Sequence, residues 1–472
     1  MKSVTSSLAK EISNFIPQVA DDLYTLRTYS KDLWPRNLIQ SREERLESSP
    51  IDLVVWPENI KKLSQLVKYA NEKNWILYPY GAGSGVCGGA TAEPRGLSPQ
   101  IVVDLKKMDK IEALDPISQT AKVQAGMIGQ VLEEDLNARG FTLGHFPSSI
   151  YCSSFGGYLA TRAAGQLSTY YGKIEDMILA LEGVLPTGEI FNTPLAPRMS
   201  IGPDFSQFFL GSEGVFSFLT SAWVKIHRLP EQRSFLSFDV PSTEKALEGV
   251  MHWIQSGLRP AVVRIYDEDE SRMLHGLKSG VRLLAIVEGE RRLTEFTAKT
   301  LAETSRQYFR WVELGEEYAQ HWWSHRYDVS YMQQKILSHR HMILDTFEVS
   351  TTWDRLPSLH KIVKQVSKHF EGEGMLVILA HFSHFYHCGG NIYFTLCGRS
   401  KEEKTVEFYD KVWDELLNVC EKQGAAISHH HGLGRLKVKS FMKQRGVLFD
   451  VLKKIKNELD PKHILNPKNL GL

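Results

Sequence analysis

Apolar residues at Ile60, Leu63, Leu66, Val67 and Ala70 recur at helical spacing through "WPENIKKLSQLVKYANEKN" and predict an amphipathic helix opened by Pro57. The chain then enters "WILYPYGAGSGVCGG", a short strand followed by a glycine loop. Apolar runs at "IVVDL" (101–105) and "AKVQAG" (121–126) predict strands, "IGQVLEEDLNARG" a helix closed by Gly140, and "FTLGHF" a further strand. Up to about residue 230 the pattern is mixed α and β, with glycine-rich loops. Beyond that point the texture changes. "SFLSFDV" reads as a strand, "STEKALEGVMHWIQSG" as a helix opened by Ser242, and "AVVRIYD" and "RLLAIVEGE" as strands. Helices over 291–306, 356–370 and 402–422 follow, with strands over 375–381 and 391–396. This alternation predicts a second domain, a sheet with helices on one face, and the fold class is α+β.

Composition narrows the setting. A chain of 472 residues is too long for one core and calls for two or three domains. Its net charge of +1 gives no field that would attract nucleic acid or an anionic membrane. Cys87, Cys152, Cys388, Cys397 and Cys420 are scattered and contain no C-x-x-C pair, which excludes a zinc ribbon and fits a reducing compartment. No run reaches the ~18 to 20 apolar residues needed to span a bilayer. The N-terminus lacks the apolar core of a signal peptide, and "NLGL" is not the S-K-L address, so the expected location is cytoplasmic. No internal repeat is visible.

The loop Gly83-Ser84-Gly85-Val86-Cys87-Gly88 satisfies G-x-G-x-x-G, yet a dinucleotide fold needs a helix to begin inside it. "GGATAEPRGLSPQ" follows instead, with glycines and prolines that forbid one. The loop can still cradle phosphate with bare backbone N–H groups, in a different fold. Downstream, Gly156-Gly157 stands at a helix start ahead of Thr161-Arg162-Ala163. Pro186-Thr187-Gly188 turns a hairpin, and Gly211-Ser212-Glu213-Gly214 precedes a strand.

Loop, "SS…GG…TRA.G…YG.IED" block and "GSEG" turn together resemble the FAD-binding half of the flavoproteins related to vanillyl-alcohol oxidase. The resemblance implies a two-part FAD-binding domain over residues 1–230, rejoined by 425–472, and a ferredoxin-like antiparallel-sheet cap over 231–424. It implies cofactor contacts from Pro79, Gly81, Gly83, Ser84 and Gly85, from Pro147, Ser148 and Ser153, from Thr161 and Arg162, and from Glu213 and Gly214. Relatives that attach flavin covalently use a loop histidine. "YPYGAGSG" has none, so the expected cofactor is non-covalent FAD.

In the second half, "FEVSTTWDRL", "AHFSHFYHCGGNIYFTL", "SHHHGLG" and "KNELDPKHILNPKNLGL" resemble alkyldihydroxyacetonephosphate synthase and its bacterial relatives. That family exchanges the acyl group of acyl-dihydroxyacetone phosphate for a fatty alcohol in ether-lipid synthesis, holding the sugar carbon on flavin N5. By match, Tyr393 is the proton acceptor or donor and Arg264 is needed for activity, while His429, His430 and His431 shape and charge the pocket. A phenol of pKa ~10 needs positive neighbours to act as a base, and three histidines can supply them. If "SHHHG" is extended, His429 and His431 share one face and His430 takes the other, so the three do not form one cluster. The resemblance further implies a small-molecule or lipid substrate and a homodimer. Trp322 and Trp323 are candidates for peripheral contact with a bilayer.

One position departs from the pattern. Gln333 in "SYMQQ" stands where the family carries an arginine that contacts substrate, which removes a charge-assisted contact. The alternative function is an FAD-dependent D-2-hydroxy acid dehydrogenase. Its relatives bind a metal through "HxGDGNxH" and "SGEHGxG", where this chain has Tyr393 for the second His and His430 for the Glu. A zinc site from His384, His387, His430 and His431 belongs to that alternative; the preferred reading has no metal.

Overall fold

The structure, a computed structural model, describes residues 7–43, 49–94, 96–328, 335–401 and 404–472. The first helix of the pattern spans Ile60–Lys73. It begins after Pro57 because Asn59 caps it, accepting the Lys62 amide at 3.1 Å. Its buried stripe of Leu63, Leu66, Val67 and Ala70 packs on Leu53, Val55, Leu77 and Ile101. Those residues belong to a small sheet in which Leu53–Val55, Gln100–Asp104 and Ile76–Tyr80 run parallel. Among the described residues of 81–99 none is helical, so the glycine loop leaves its strand without opening a helix.

A five-stranded antiparallel sheet stands beside it, in the order Ile111–Asp115, Thr120–Gln124, Phe218–Lys225, Ile178–Val184 and Ile190–Asn192. The last two form the hairpin at Pro186–Gly188, with Gly188 at φ +87°. "FTLGHF" is strand only at Phe141–Thr142. The amides of Leu143 and Gly144 turn instead to the buried Glu133 carboxylate, at 3.0 and 3.2 Å.

The larger sheet runs Val312–Glu313, Gln232–Val240, Val281–Gly289, Val262–Tyr266, Gly374–Tyr386, Gly389–Ser400, Met342–Thr352, with every pairing antiparallel. Two successive β-α-β-β-α passages build it, the first with an added helix, Glu268–His275, between its second and third strands. The first takes in helices Thr243–Gln255 and Arg291–Gln307, the second Leu356–Gln365 and Thr405–Lys422. Each passage places its third strand between its first and second, and the two second strands meet at the centre. The passages are thus arranged as pseudo-copies, a repeat that the sequence does not display. Cross-strand rows alternate. Phe238, Leu283, Ile265, Phe382, Ile392 and Val349 form an apolar row, all fully buried. The next row, on the opposite face, is polar: Asp239, Arg282, Tyr266, His381, Tyr393 and Glu348.

From Ala425 onward the chain returns to the first half. Leu77 donates to the Ile464 carbonyl at 2.7 Å, and Lys456 Nζ reaches the Val215 carbonyl at 2.8 Å. Among the described residues no helix is long and apolar enough to cross a membrane.

Candidate active site

Tyr393 sits in the polar row with its ring stacked on His381, centroids 4.8 Å apart. His430 lies parallel to it at 5.9 Å and His431 edge-on at 5.5 Å. Burial pushes the phenol up to about 12, only partly opposed by a hydrogen bond with Thr346. Tyr393 therefore carries its proton at neutral pH.

The histidine triplet is a loop rather than a strand, and Glu348 dictates its shape. One carboxylate oxygen, Oε1, accepts the backbone amides of His429, His430 and His431 at 3.1, 3.2 and 2.9 Å. Three successive amides converging on one anion bend the chain around it, as in an anion nest. The other oxygen accepts from Lys437 Nζ at 2.8 Å, and both side chains are fully buried. Burial alone would raise the Glu348 carboxyl, but Lys437, with a hydrogen bond from Ser428, outweighs it and holds the group far below its ordinary range. The bend corrects the expectation of alternating faces. His429, His430 and His431 form one cluster, with successive rings 5.1 and 4.5 Å apart, and His384 joins it 5.1 Å from both His429 and His430.

These histidines do not charge the pocket as expected. Burial first, and then the neighbouring cations and imidazoles, lower the basicity of His384, His429, His430 and His431, and that of His381 likewise. Neutral rings therefore surround a neutral phenol. The zinc set anticipated for the alternative function is not assembled either, because His387 is exposed and contributes its carbonyl to Gln255 and Trp353. Within the described residues the group of three whose ring nitrogens, one from each, all lie within 4.8 Å of one another is His384, His429 and His430. Four of their ring nitrogens already have protein partners: Nδ1 of His384, both nitrogens of His429, and Nδ1 of His430.

Arg264, in Val262–Tyr266, donates to His381 Nε2 at 2.8 Å and stands over Trp322 and Tyr266. Its Nε is buried without a partner among the described residues. Gln333 lies outside the described residues. Trp322 and Trp323, the candidates for bilayer contact, are half-buried. They pack on the larger core, and Trp323 is covered by Arg233 and Arg326. The sequence reading missed Glu348, Lys437, His381, Tyr386 and Ser168. "FEVSTT" quoted Glu348 without a role, and alternation along that strand would have put it beside Tyr393.

The segments expected to hold FAD meet in space. A Cβ at Gly81 would strike Ser154 Oγ, one at Gly214 would strike Pro79, and one at Gly211 would strike Arg162. Gly83 and Gly214 are left-handed, at φ +67° and +74°. No acceptor among the described residues takes the amides of Ala82 to Val86, so Gly83, Ser84 and Gly85 present bare N–H groups, the chemistry a pyrophosphate needs. Pro147 and Ser148 lie in the loop before the Phe155–Thr161 helix, where Ser148 accepts from Gln166 at 3.2 Å. Ser153 bonds the Ser149 carbonyl and the Tyr158 hydroxyl, and Thr161 bonds the Gly157 carbonyl. At two of the expected contact positions the side chains are engaged within the protein. Arg162 spends its guanidinium on the carbonyls of Gln207 and Leu210. Glu213 spends its carboxylate on the amides of Leu433 and Gly434 and on Asn469. Any cofactor contact at those two positions falls to the backbone. Buried polar atoms without partners at His145, Gln166 and Asn391 add unspent hydrogen-bonding capacity. The residues present fit FAD.

Residues 51–194 match the FAD binding domain family, and residues 229–470 match the C-terminal domain of FAD linked oxidases. The alkyldihydroxyacetonephosphate synthase of Dictyostelium discoideum is 30% identical over 491 residues, covering 97% of this chain and 79% of that protein. A mitochondrial cytochrome D-lactate dehydrogenase of Arabidopsis thaliana is 24% identical, over 89% of this chain and 73% of that protein. The solved structure of an alkyldihydroxyacetonephosphate synthase superposes with a TM-score of 0.82 at 27% identity, covering 97% of this chain and 84% of that one.

Proposed function

Because the chain belongs to the FAD-linked oxidase family, as an alkyldihydroxyacetonephosphate synthase-like FAD enzyme, we propose that it exchanges an acyl group for a fatty alcohol on dihydroxyacetone phosphate. The observation that carries this reading is Tyr393, a protonated phenol between His381 and His430 where a metal-dependent hydroxy acid dehydrogenase would need a second histidine ligand. The bare amides of residues 82–86 hold the pyrophosphate of FAD, and the loops at 147–153, 161–162 and 213–214 line the rest. When bound, FAD supplies an electron-accepting ring against which the substrate carbon is positioned.

The chain's own residues manage protons and charge. Tyr393 meets substrate as an acid, since its proton stays on at neutral pH. It takes a proton from the substrate carbon only by passing its own to a neighbour, and the neutral imidazoles of His430 and His431 flank its ring as acceptors. Arg264 is already oriented by His381 and offers its unpaired Nε to an anionic oxygen, the role that Gln333 cannot fill. The proposal includes a lipid substrate met at a membrane surface by a cytoplasmic homodimer.

Anaerobic mixing of the yellow holoenzyme with palmitoyl-dihydroxyacetone phosphate and hexadecanol is expected to release palmitate and form an ether, with no lasting loss of flavin absorbance. Tyr393→Phe is expected to slow that exchange on the order of 10² to 10⁴-fold while the flavin spectrum stays native. Lasting bleaching by D-lactate, with no palmitate release, would establish the dehydrogenase instead.

A further inference from the structure

Three hydrogen bonds run through the triplet and residues that no catalytic role yet uses. His430 Nδ1 faces His429 Nδ1 at 2.8 Å, and His429 Nε2 meets the Tyr386 hydroxyl at 2.7 Å. The Tyr386 hydroxyl stands beside Ser168, whose Oγ lies 2.6 Å from His384 Nδ1. The chain of bonds curves back on itself, because the rings of its terminal histidines, His384 and His430, are only 5.1 Å apart.

A second feature of the backbone points the same way. Alternation along Gly374–Tyr386 would send His384 to the helix-covered face, opposite His381. A bulge between Ser383 and Tyr386 breaks the register there, and His384 sits at φ +54°, a left-handed conformation that a side chain adopts at a cost. The strain re-aims His384 toward the triplet.

We propose that His430, His429, Tyr386, Ser168 and His384 form one proton-transfer arc whose free ends are Nε2 of His430 and Nε2 of His384. Facing imidazole nitrogens at hydrogen-bonding distance share one proton, so the two rings adopt complementary tautomers. With the Tyr386 hydroxyl turned onto Ser168 Oγ, which the arc requires, this rule admits two states. In one, His430 carries its proton on Nε2 and His384 on Nδ1; in the other, His430 carries it on Nδ1 and His384 on Nε2. Each state holds the same number of protons. A proton taken up at the bare Nε2 of one terminal histidine shifts every bond of the arc by one place and is released from Nε2 of the other. One end is a base whenever the other is an acid, and no member becomes charged. That suits rings whose burial disfavours the imidazolium. The charged groups around the arc are Lys173, on the His429 carbonyl at 2.6 Å, Glu175 and Asp176 near Tyr386, and Glu348, Lys437 and Arg264 beyond the triplet. None of them bonds a ring nitrogen of the arc among the described residues. Its use rests on the proposed exchange chemistry, in which one proton must leave the substrate and one return with no net change.

Nitrogen NMR of the holoenzyme labelled with [15N]histidine tests the arc without any substrate. The expected result is a scalar coupling across the His429–His430 hydrogen bond, with opposite neutral tautomers at His384 and His430. Ser168→Ala is expected to keep the coupling but release His384 from that anticorrelation. Tyr386→Phe is expected to slow solvent proton exchange at His430 Nε2 on the order of a hundredfold. Matching tautomers at the two ends, an imidazolium at neutral pH, no coupling, or tight Zn²⁺ binding abolished by His384→Gln would each overturn the arc. The wild-type spectrum alone decides the matter if a variant does not fold. Failure of the arc leaves the exchange reading standing, and bleaching by D-lactate would sink that reading while leaving the tautomers as they are.

Discussion

Glu348 shows how much one residue decides. It sits opposite Tyr393 across the strand pair, fixes the three triplet amides through one oxygen and pairs with the buried Lys437 through the other. Glu348→Gln keeps the shape but leaves a buried ammonium without its anion, so a loss of about 3 to 5 kcal/mol is expected in thermal or denaturant unfolding. The pH dependence has a definite sign. Because the folded carboxyl is held below its ordinary value of 4.5, its stabilising contribution is complete above that value and fades as the pH falls toward the folded pKa. The gap between wild type and Glu348→Gln is therefore expected to be widest near neutrality and to narrow below about pH 4.5. A constant gap would mean that the ion pair is not its source. From sequence, Glu348 was one carboxylate among many, since nothing local to "FEVSTT" reveals that a loop some eighty residues later will wrap it.

At the scale of elements, periodicity was a good guide wherever the element was long. The helices Ile60–Lys73 and Thr243–Gln255 have the buried stripes the spacing predicted, and Ser242 caps the second by accepting the Lys245 amide. Short elements deceived. "FTLGHF" lost most of its strand to a buried carboxylate, and "SHHHG" became a loop, because tertiary hydrogen bonds outbid weak local preference. The glycine loop was legible for a firmer reason, that no helix can start in "GGATAEPRGLSPQ". Its geometry makes a prediction. Gly83 is left-handed, and a Cβ there would fall 2.0 Å from the Tyr80 hydroxyl. Gly83→Ala is expected to cost about 1 to 2 kcal/mol in backbone strain and to displace the amides proposed to hold the cofactor. The measurement is the flavin-to-protein absorbance ratio of the purified protein, which should fall well below that of wild type.

The whole molecule is closed by its last segment. Lys456, fully buried, donates to the carbonyls of Val215 and Leu465 and to Asp460, and Asn466 donates to the Glu213 carbonyl. The His-Gly-Leu-Gly turn docks on the glycine loop, where Gly434 approaches the Cys87 carbonyl so closely that a Cβ would overlap it. One tail thus carries the triplet and ties it to the segments expected to hold FAD. Lys456→Met removes the cation and leaves the buried Asp460 carboxylate with the amides of Ile464 and Leu465 but no countercharge. A loss of about 3 to 5 kcal/mol is expected, together with faster proteolysis of the tail and easier flavin release. Retained flavin and unchanged proteolysis would show that the tail is held by packing alone.

The sequence by itself determined the α+β class, the change of texture near residue 230, and a glycine loop that is not a Rossmann helix start. Each of these is local, written in spacing, in glycine and proline, or in a motif of a few residues. Only the tertiary structure decided that the histidines are neutral, that they curl around Glu348 into one cluster, that two passages repeat each other across the large sheet, and that Arg162 and Glu213 spend their side chains on protein. Those outcomes depend on burial and on partners far along the chain. Burial sets which charge a ring can bear, and the distant partner sets which hydrogen bond is worth bending the backbone to make.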